Sequence, residues 1–172
     1  MKILSKQRNS RMCMICGLDN EYGVNAPFYN MEDGSVMTVF RYKEQHQSYP
    51  GRVHGGMITA MLDEMGLRSL WAKELSEETF GVTISLDTKY RKPVPYETEL
   101  IGRGVVEKNT SHFIITDSYI MDKDGEVLAN GRIKYIKMDT QKIQEGIEVH
   151  EEMPYLVEDG RTEIEGPFFD NL

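Results

Sequence analysis

Residues 49–75 read YPGRVHGGMITAMLDEMGLRSLWAKEL, and most of this run is the one long helix of the chain. From Gly55 to Leu75 there is no proline, Met, Leu and Ala are frequent, and Ile58, Met61, Met65 and Ala72 recur near helical spacing. Ahead of it, Glu44 to Val53 holds Pro50-Gly51 and few apolar residues, which marks a loop.

On either side of this helix the pattern is that of strands. Asn25–Tyr29 and Ser35–Tyr42 flank Met31-Glu32-Asp33-Gly34, a hairpin turn signal. Beyond the helix, Phe80–Tyr90 alternates, with Val82, Ile84, Leu86 and Tyr90 on one face and Thr83, Ser85, Asp87 and Lys89 on the other. Pro93 and Pro95 end it. Leu100–Glu107, His112–Met121 and Glu126–Met138 continue, divided by Lys108-Asn109-Thr110 and by a turn over Asp122–Gly125. Four consecutive strands without a helix between them exclude a parallel βαβ array. The expected class is therefore α+β, two strands before one helix and four after, in a mostly antiparallel sheet with the helix on one face.

The length of 172 residues suits one core, and 40% hydrophobic with 28% charged residues is a globular composition. No apolar run reaches the roughly 20 residues of a membrane-spanning helix, and MKILSKQRNSRMC lacks the apolar centre of a signal peptide. The reading is a soluble, cytoplasmic chain. Its net charge of -8 lies wholly in the stretch from Asp139 to the end, where ten acidic residues, Asp139 included, face only Lys142 and Arg161. A neutral body with an acidic tail does not fit sequence-independent nucleic-acid binding. The expected division is an N-terminal segment 1–24, a domain 25–138 and an acidic tail 139–172, the tail extended or partly disordered, with Met153–Leu156 and Gly166–Phe169 able to dock apolar side chains. Cys13 and Cys16 stand as Cys-Met-Ile-Cys-Gly. A lone CxxC supplies two of the four ligands of a structural zinc site, so no metal is expected, and the cysteines read as reduced thiols in a segment packed on the domain.

Chemistry concentrates where the loop meets the helix. A helix opening with Gly55-Gly56 leaves its first backbone N–H groups unshielded, open to an electron-rich group such as a carbonyl oxygen. Stepping round from Gly56 by three and four gives Thr59, Ala60, Asp63, Gly66 and Leu67, mostly small residues with one carboxylate. A ligand laid on this stripe would meet Asp63; the stripe is equally what a tight packing contact looks like. His54 reads first as a cap or a satisfied core imidazole. Glu64 points about 100° away from Asp63 and is expected to be nearly silent when replaced.

Gly51-Arg52-Val53-His54-Gly55-Gly56, the acid Asp63 nine positions after His54, and GVTISLDTKY (81–90) leading into Lys92-Pro93 resemble the hotdog-fold thioesterases of the phenylacetate-degradation and human acyl-CoA thioesterase type. The resemblance covers about residues 13–138, including Cys13–Gly17. It implies a hotdog fold, one long central helix wrapped by a curved antiparallel sheet, and an acyl-CoA thioesterase without a cofactor. The backbone N–H of Gly56 would polarise the thioester carbonyl, His54 would shape the same turn, Asp63 would be nucleophile or general base, and Thr83 would hold water or orient the carboxylate. The two halves of such a site come from opposite subunits, which implies a homodimer, often paired into a homotetramer. One departure stands out: the position six before His54, often Asn in the family, is Ser48, with Gln47 beside it carrying an amide. Gly55, Gln47 and Ser48 are the expected carbonyl-side contacts, and Lys89, Arg91 and Lys92 the expected partners of coenzyme A phosphates. Hotdog folds host several activities. The alternatives are a non-catalytic acyl-CoA-binding sensor, for which the roughly 25 residues before the first strand are too few to hold a DNA-binding module, and a hydratase, which needs an Asp–His pair. All motif residues precede the tail, which is expected to be dispensable for turnover.

Overall fold

The computed structural model describes residues 1–74, 79–138 and 152–166. In chain order the strands are β1 (Ile3–Lys6), β2 (Tyr29–Met31), β3 (Val36–Phe40), β4 (Gln47–Tyr49) and β5 (Arg52–Val53). The helix α1 (Gly55–Glu74) follows, and then β6 (Phe80–Tyr90), β7 (Leu100–Asn109), β8 (Phe113–Met121) and β9 (Val127–Met138). Among the described residues one sheet has seven strands in the order β1-β2-β3-β7-β8-β9-β6, every neighbouring pair antiparallel, while β4 and β5 pair by themselves. The α+β class and the four strands after the helix are as expected. Ahead of it the sheet has three strands, because the short run Ile3–Lys6 also pairs, with β2. The expected last helical residue, Leu75, lies outside the described residues.

Burial of apolar side chains holds α1 on the sheet. Ile58, Met61, Leu62, Met65 and Leu70 are all buried, with Val36, Phe40, Leu100, Ile120 and Ala129 among the buried residues of the strands. Each such side chain contributes about 1.5–3 kcal/mol. Two glycines set how closely helix and sheet approach. A methyl on Gly66 would lie 2.1 Å from the Tyr135 hydroxyl, and one on Gly104 would lie 2.6 Å from the Met65 carbonyl oxygen. The packing reading of the small-residue stripe therefore holds at Gly66.

The face assignment along β6 needs correction. Thr83 pairs with Tyr135 and Ser85 with Lys134, so Ile84 is the extra residue of a β-bulge. A bulge reverses the alternation. Thr83 before it, and Thr88 and Tyr90 after it, all reach α1. Val82 and Ile84 are left 41% and 53% exposed on a strand that, among the described residues, stands at one edge of the sheet.

The tail is more than a charged appendage. Residues 152–166 run extended along the N-terminal segment, with bridges Asn9–Tyr155 and Lys2–Glu163. Ile164 is buried in a cluster with Tyr29, Met31, Met37, Ile101 and Met121. Truncation at 139 would uncover that cluster, so the expected dispensability does not extend to the fold. Residues 139–151 and 167–172, with the expected docking of Phe168 and Phe169, lie outside the described residues. Asp159 pins the tail: it pairs with Lys6 and accepts from the Tyr29 hydroxyl. Burial alone would push its carboxyl up, but hydrogen bonds from Lys6, Tyr29 and the Arg161 backbone N–H outweigh burial and hold it down at about 2. A carboxyl depressed by folding stabilises above its unfolded value, and the contribution is lost as pH falls through the folded value. The tail should therefore stay docked at pH 5 and loosen between about pH 4 and pH 2, read as rising protease susceptibility of residues 152–166. An equally large loosening in Asp159→Asn at pH 7 is the matching control. No helix of the described residues is long and apolar enough to cross a membrane.

Candidate active site

The loop before α1 is aimed by a buried imidazole. His46 is 4% exposed, its Nδ1 accepts the Lys43 N–H at 3.0 Å and its Nε2 lies 2.7 Å from the Tyr22 carbonyl oxygen. With Nδ1 accepting, Nε2 carries the proton and donates. The His46 carbonyl then accepts the His54 N–H at 2.8 Å, which sets the start of the helix. His54 is the cap. Its Nδ1 accepts the Gly56 N–H at 2.9 Å, and its carbonyl accepts from Met57 at 2.9 Å. The N–H expected to meet a carbonyl is thus engaged by the adjacent imidazole.

Gly55, Gly56, Arg52, Arg91 and Lys92 line a cavity of about 570 Å³, closed on its apolar side by Val53, Ile58, Pro93 and Val94. Tyr90 lines it too: its hydroxyl donates to the Gly55 carbonyl at 3.1 Å and lies 2.7 Å from Thr59 Oγ1. Arg91 is held by Asn130 at 2.7 Å, and Lys92 pairs with Glu126. Two of the three expected basic residues therefore meet the glycines, whereas Lys89, exposed on β6, does not line the cavity. Gln47 and Ser48 lie on β4, exposed, with Gln47 opposite Val53, and neither lines the cavity. Arg52 and Tyr90 were not among the expected contacts. Arg52 sits in the quoted motif, but only the fold turns β5 beside the end of β6.

Asp63 and Thr83 do come together, with Thr83 Oγ1 donating to Asp63 Oδ1 at 2.8 Å. The Tyr135 hydroxyl donates to the Asp63 carbonyl at 2.7 Å and ties β9 to this turn of the helix. Burial raises the Asp63 carboxyl above its ordinary value, the Thr83 and Tyr135 hydroxyls pull it back, and the neighbouring Glu64 charge raises it further. A carboxylate so placed is poorly hydrated and more basic towards water. Within one chain this acid and the helix start are separate. Asp63 is seven residues beyond Gly56, roughly 10 Å along the axis.

Glu64 is not the solvated neighbour that its position suggests. Its Oε1 accepts from Arg68 Nε at 2.7 Å, and the Arg68 side chain is 1% exposed. Arg68 further donates to Gln7 Oε1 and the Arg8 carbonyl at 3.1 Å and lies over the Phe28 ring at 4.3 Å. The other oxygen, Oε2, is 3.8 Å from Cys13 Sγ. Cys13, Cys16 and Glu64 thus converge, a grouping with no signal in sequence because Glu64 is far from the cysteines along the chain.

A model of the thioesterase superfamily matches residues 50–129, the stretch from the glycine loop to the start of β9. The chain is 25% identical over 140 residues to the acyl-coenzyme A thioesterase THEM4 of Rattus norvegicus, an alignment covering 81% of this chain and 57% of that protein. It spans little more than half the length of this curated relative. Among solved structures, a thioesterase superfamily protein superposes with a TM-score of 0.65 at 26% identity, over 73% of this chain and 63% of the other. A hypothetical thioesterase from Streptococcus pneumoniae, crystallised with coenzyme A, superposes with a TM-score of 0.59 at 18% identity, over 67% and 90% of the two chains.

Proposed function

We propose that this chain, whose residues 50–129 match a model of the thioesterase superfamily, hydrolyses acyl-CoA thioesters to the free acid and coenzyme A. The observation that carries the reading is the Asp63–Thr83 pair, a partly buried carboxylate held by a hydroxyl on the face of α1 that β6 approaches. The thioester carbonyl replaces the His54 imidazole on the Gly56 N–H. Charge grows on that oxygen in the transition state, so a fixed donor at a positive helix end stabilises it more than the ground state. Asp63 acts as general base to a water oriented by Thr83, or as nucleophile. The water oxygen bonds to the carbonyl carbon, the carbon–sulfur bond breaks, and the coenzyme A sulfur leaves as thiolate and takes up a proton. Arg52, Arg91 and Lys92 attract the phosphates at the cavity mouth, in keeping with the coenzyme A bound by the Streptococcus pneumoniae protein.

The separation of Gly56 from Asp63 along one helix calls for a second copy. Strand β6 supports this. Among the described residues it is an eleven-residue edge strand with exposed Val82 and Ile84, the kind of edge that proteins cover. In the proposed homodimer the helix start of one subunit faces Asp63 of the other. A panel of aliphatic and aromatic acyl-CoAs, followed by release of free thiol, tests the activity. Turnover of at least one member well above the rate without protein is expected. Tight binding of every member without thiol release would instead make the chain a non-catalytic acyl-CoA sensor.

A further inference from the structure

We propose that Cys13, Cys16 and Glu64 form a binding site for a divalent transition-metal ion of the zinc class, which clasps the N-terminal turn to α1. The two sulfurs and a Glu64 carboxylate oxygen all lie within 4.8 Å of one another. Thiolates with one carboxylate are a donor set suited to zinc, and three protein donors leave the fourth tetrahedral position to water.

The surroundings are built to hold these donors. Gly17 donates its N–H to the Cys13 carbonyl at 2.9 Å, and a methyl there would lie 2.5 Å from that oxygen, so a glycine closes the turn that gathers both sulfurs. Cys13 Sγ accepts N–H groups from Ile15 at 3.3 Å and Cys16 at 3.4 Å. Ser10 Oγ accepts the Cys13 N–H at 3.1 Å and lies 3.3 Å from Cys16 Sγ, to which its own proton is free to point. Each sulfur thus has an N–H or O–H group within hydrogen-bond reach. Arg68 takes Glu64 Oε1 and leaves Oε2 towards the sulfurs, the orienting role that outer partners play around metal ligands.

Charge favours a cation over redox exchange. Two thiolates and a carboxylate outweigh the single positive charge of Arg68, and a divalent ion makes the group neutral. A carboxylate beside a dithiol opposes the thiolate needed for disulfide exchange but serves directly as a ligand. Binding would release the two thiol protons, so affinity should rise with pH.

The test uses the reduced full chain, stripped with a chelator and titrated anaerobically with Co²⁺ and then Zn²⁺. Co²⁺ should bind one ion per chain with intense sulfur-to-cobalt charge-transfer absorption and the visible bands of a tetrahedral ion, and Zn²⁺ should abolish both. Cys13→Ser and Cys16→Ser should each reduce the charge-transfer intensity, and Glu64→Gln should weaken binding at least ~10-fold. Because Glu64 also anchors Arg68, a measurement on the unaltered chain stands beside these variants: Zn²⁺ should slow alkylation of both thiols. Absence of thiolate charge transfer, or alkylation at the same rate with and without Zn²⁺, overturns the site. So does a Cys13–Cys16 disulfide that forms equally fast in the presence of Zn²⁺. None of these readouts depends on thioesterase activity.

Discussion

Asp63→Ala is expected to lower acyl-CoA turnover roughly 10²–10⁴-fold, the scale of a lost general base or nucleophile, with acyl-CoA affinity little changed. Binding should persist because the proposed phosphate contacts Arg52, Arg91 and Lys92 are untouched by the substitution. Thr83 loses its partner, but β6 keeps its register with β9, so the melting temperature should move little. The same variant tests the shared site. Gly56→Pro removes the N–H at a first-turn position where proline is tolerated, and that chain alone should also be slow. Mixed with Asp63→Ala chains, it should recover part of the lost rate, because one of the two sites in a mixed dimer joins an intact helix start to an intact acid. No recovery after demonstrated subunit exchange would place both groups of each site in one chain.

Glu64→Ala should act on stability, not on chemistry. It strands the buried Arg68 guanidinium, and breaking a buried pair costs about 3–5 kcal/mol. Gln7, the Arg8 carbonyl and the Phe28 ring still hold Arg68, which places the expected loss near the lower end, about 3 kcal/mol. For a chain of this length that is a fall in Tm on the order of 10 °C, while turnover per folded molecule at 15 °C stays close to that of the unaltered chain. Two adjacent carboxylates therefore have opposite signatures: Asp63→Ala costs rate and spares Tm, and Glu64→Ala costs Tm and spares rate. A Glu64→Ala protein with unchanged Tm would mean that Arg68 does not need its partner.

Elements with a strong local period are legible in the amino-acid sequence alone. The helix from Gly55, the turn at Asp33-Gly34 and the strands from Leu100 to Met138 declare themselves through apolar spacing and turn residues, which depend only on near neighbours. Strand β1 carries no such signal. It is only four residues long, with Ile3-Leu4 followed by Ser5-Lys6 and no alternation, and it pairs because β2 and the returning tail lie on either side. The bulge at Ile84 is equally silent in sequence, yet it decides that Thr83 and Tyr90 both look towards α1.

By itself the sequence determined the α+β class, the long helix with its glycine start, and the spacing that puts Asp63 on the same helix face as Gly56, since these follow from backbone periodicity and side-chain size. Tertiary structure alone decided that His54 occupies the Gly56 N–H, that Gln47, Ser48 and Lys89 stand away from the cavity while Arg52 and Tyr90 line it, and that Glu64 turns from solvent to Arg68 and the two cysteines. Each of these depends on segments far apart in the chain meeting in space, and a side chain's partner across such a contact is set by packing of the whole fold, which no local pattern encodes.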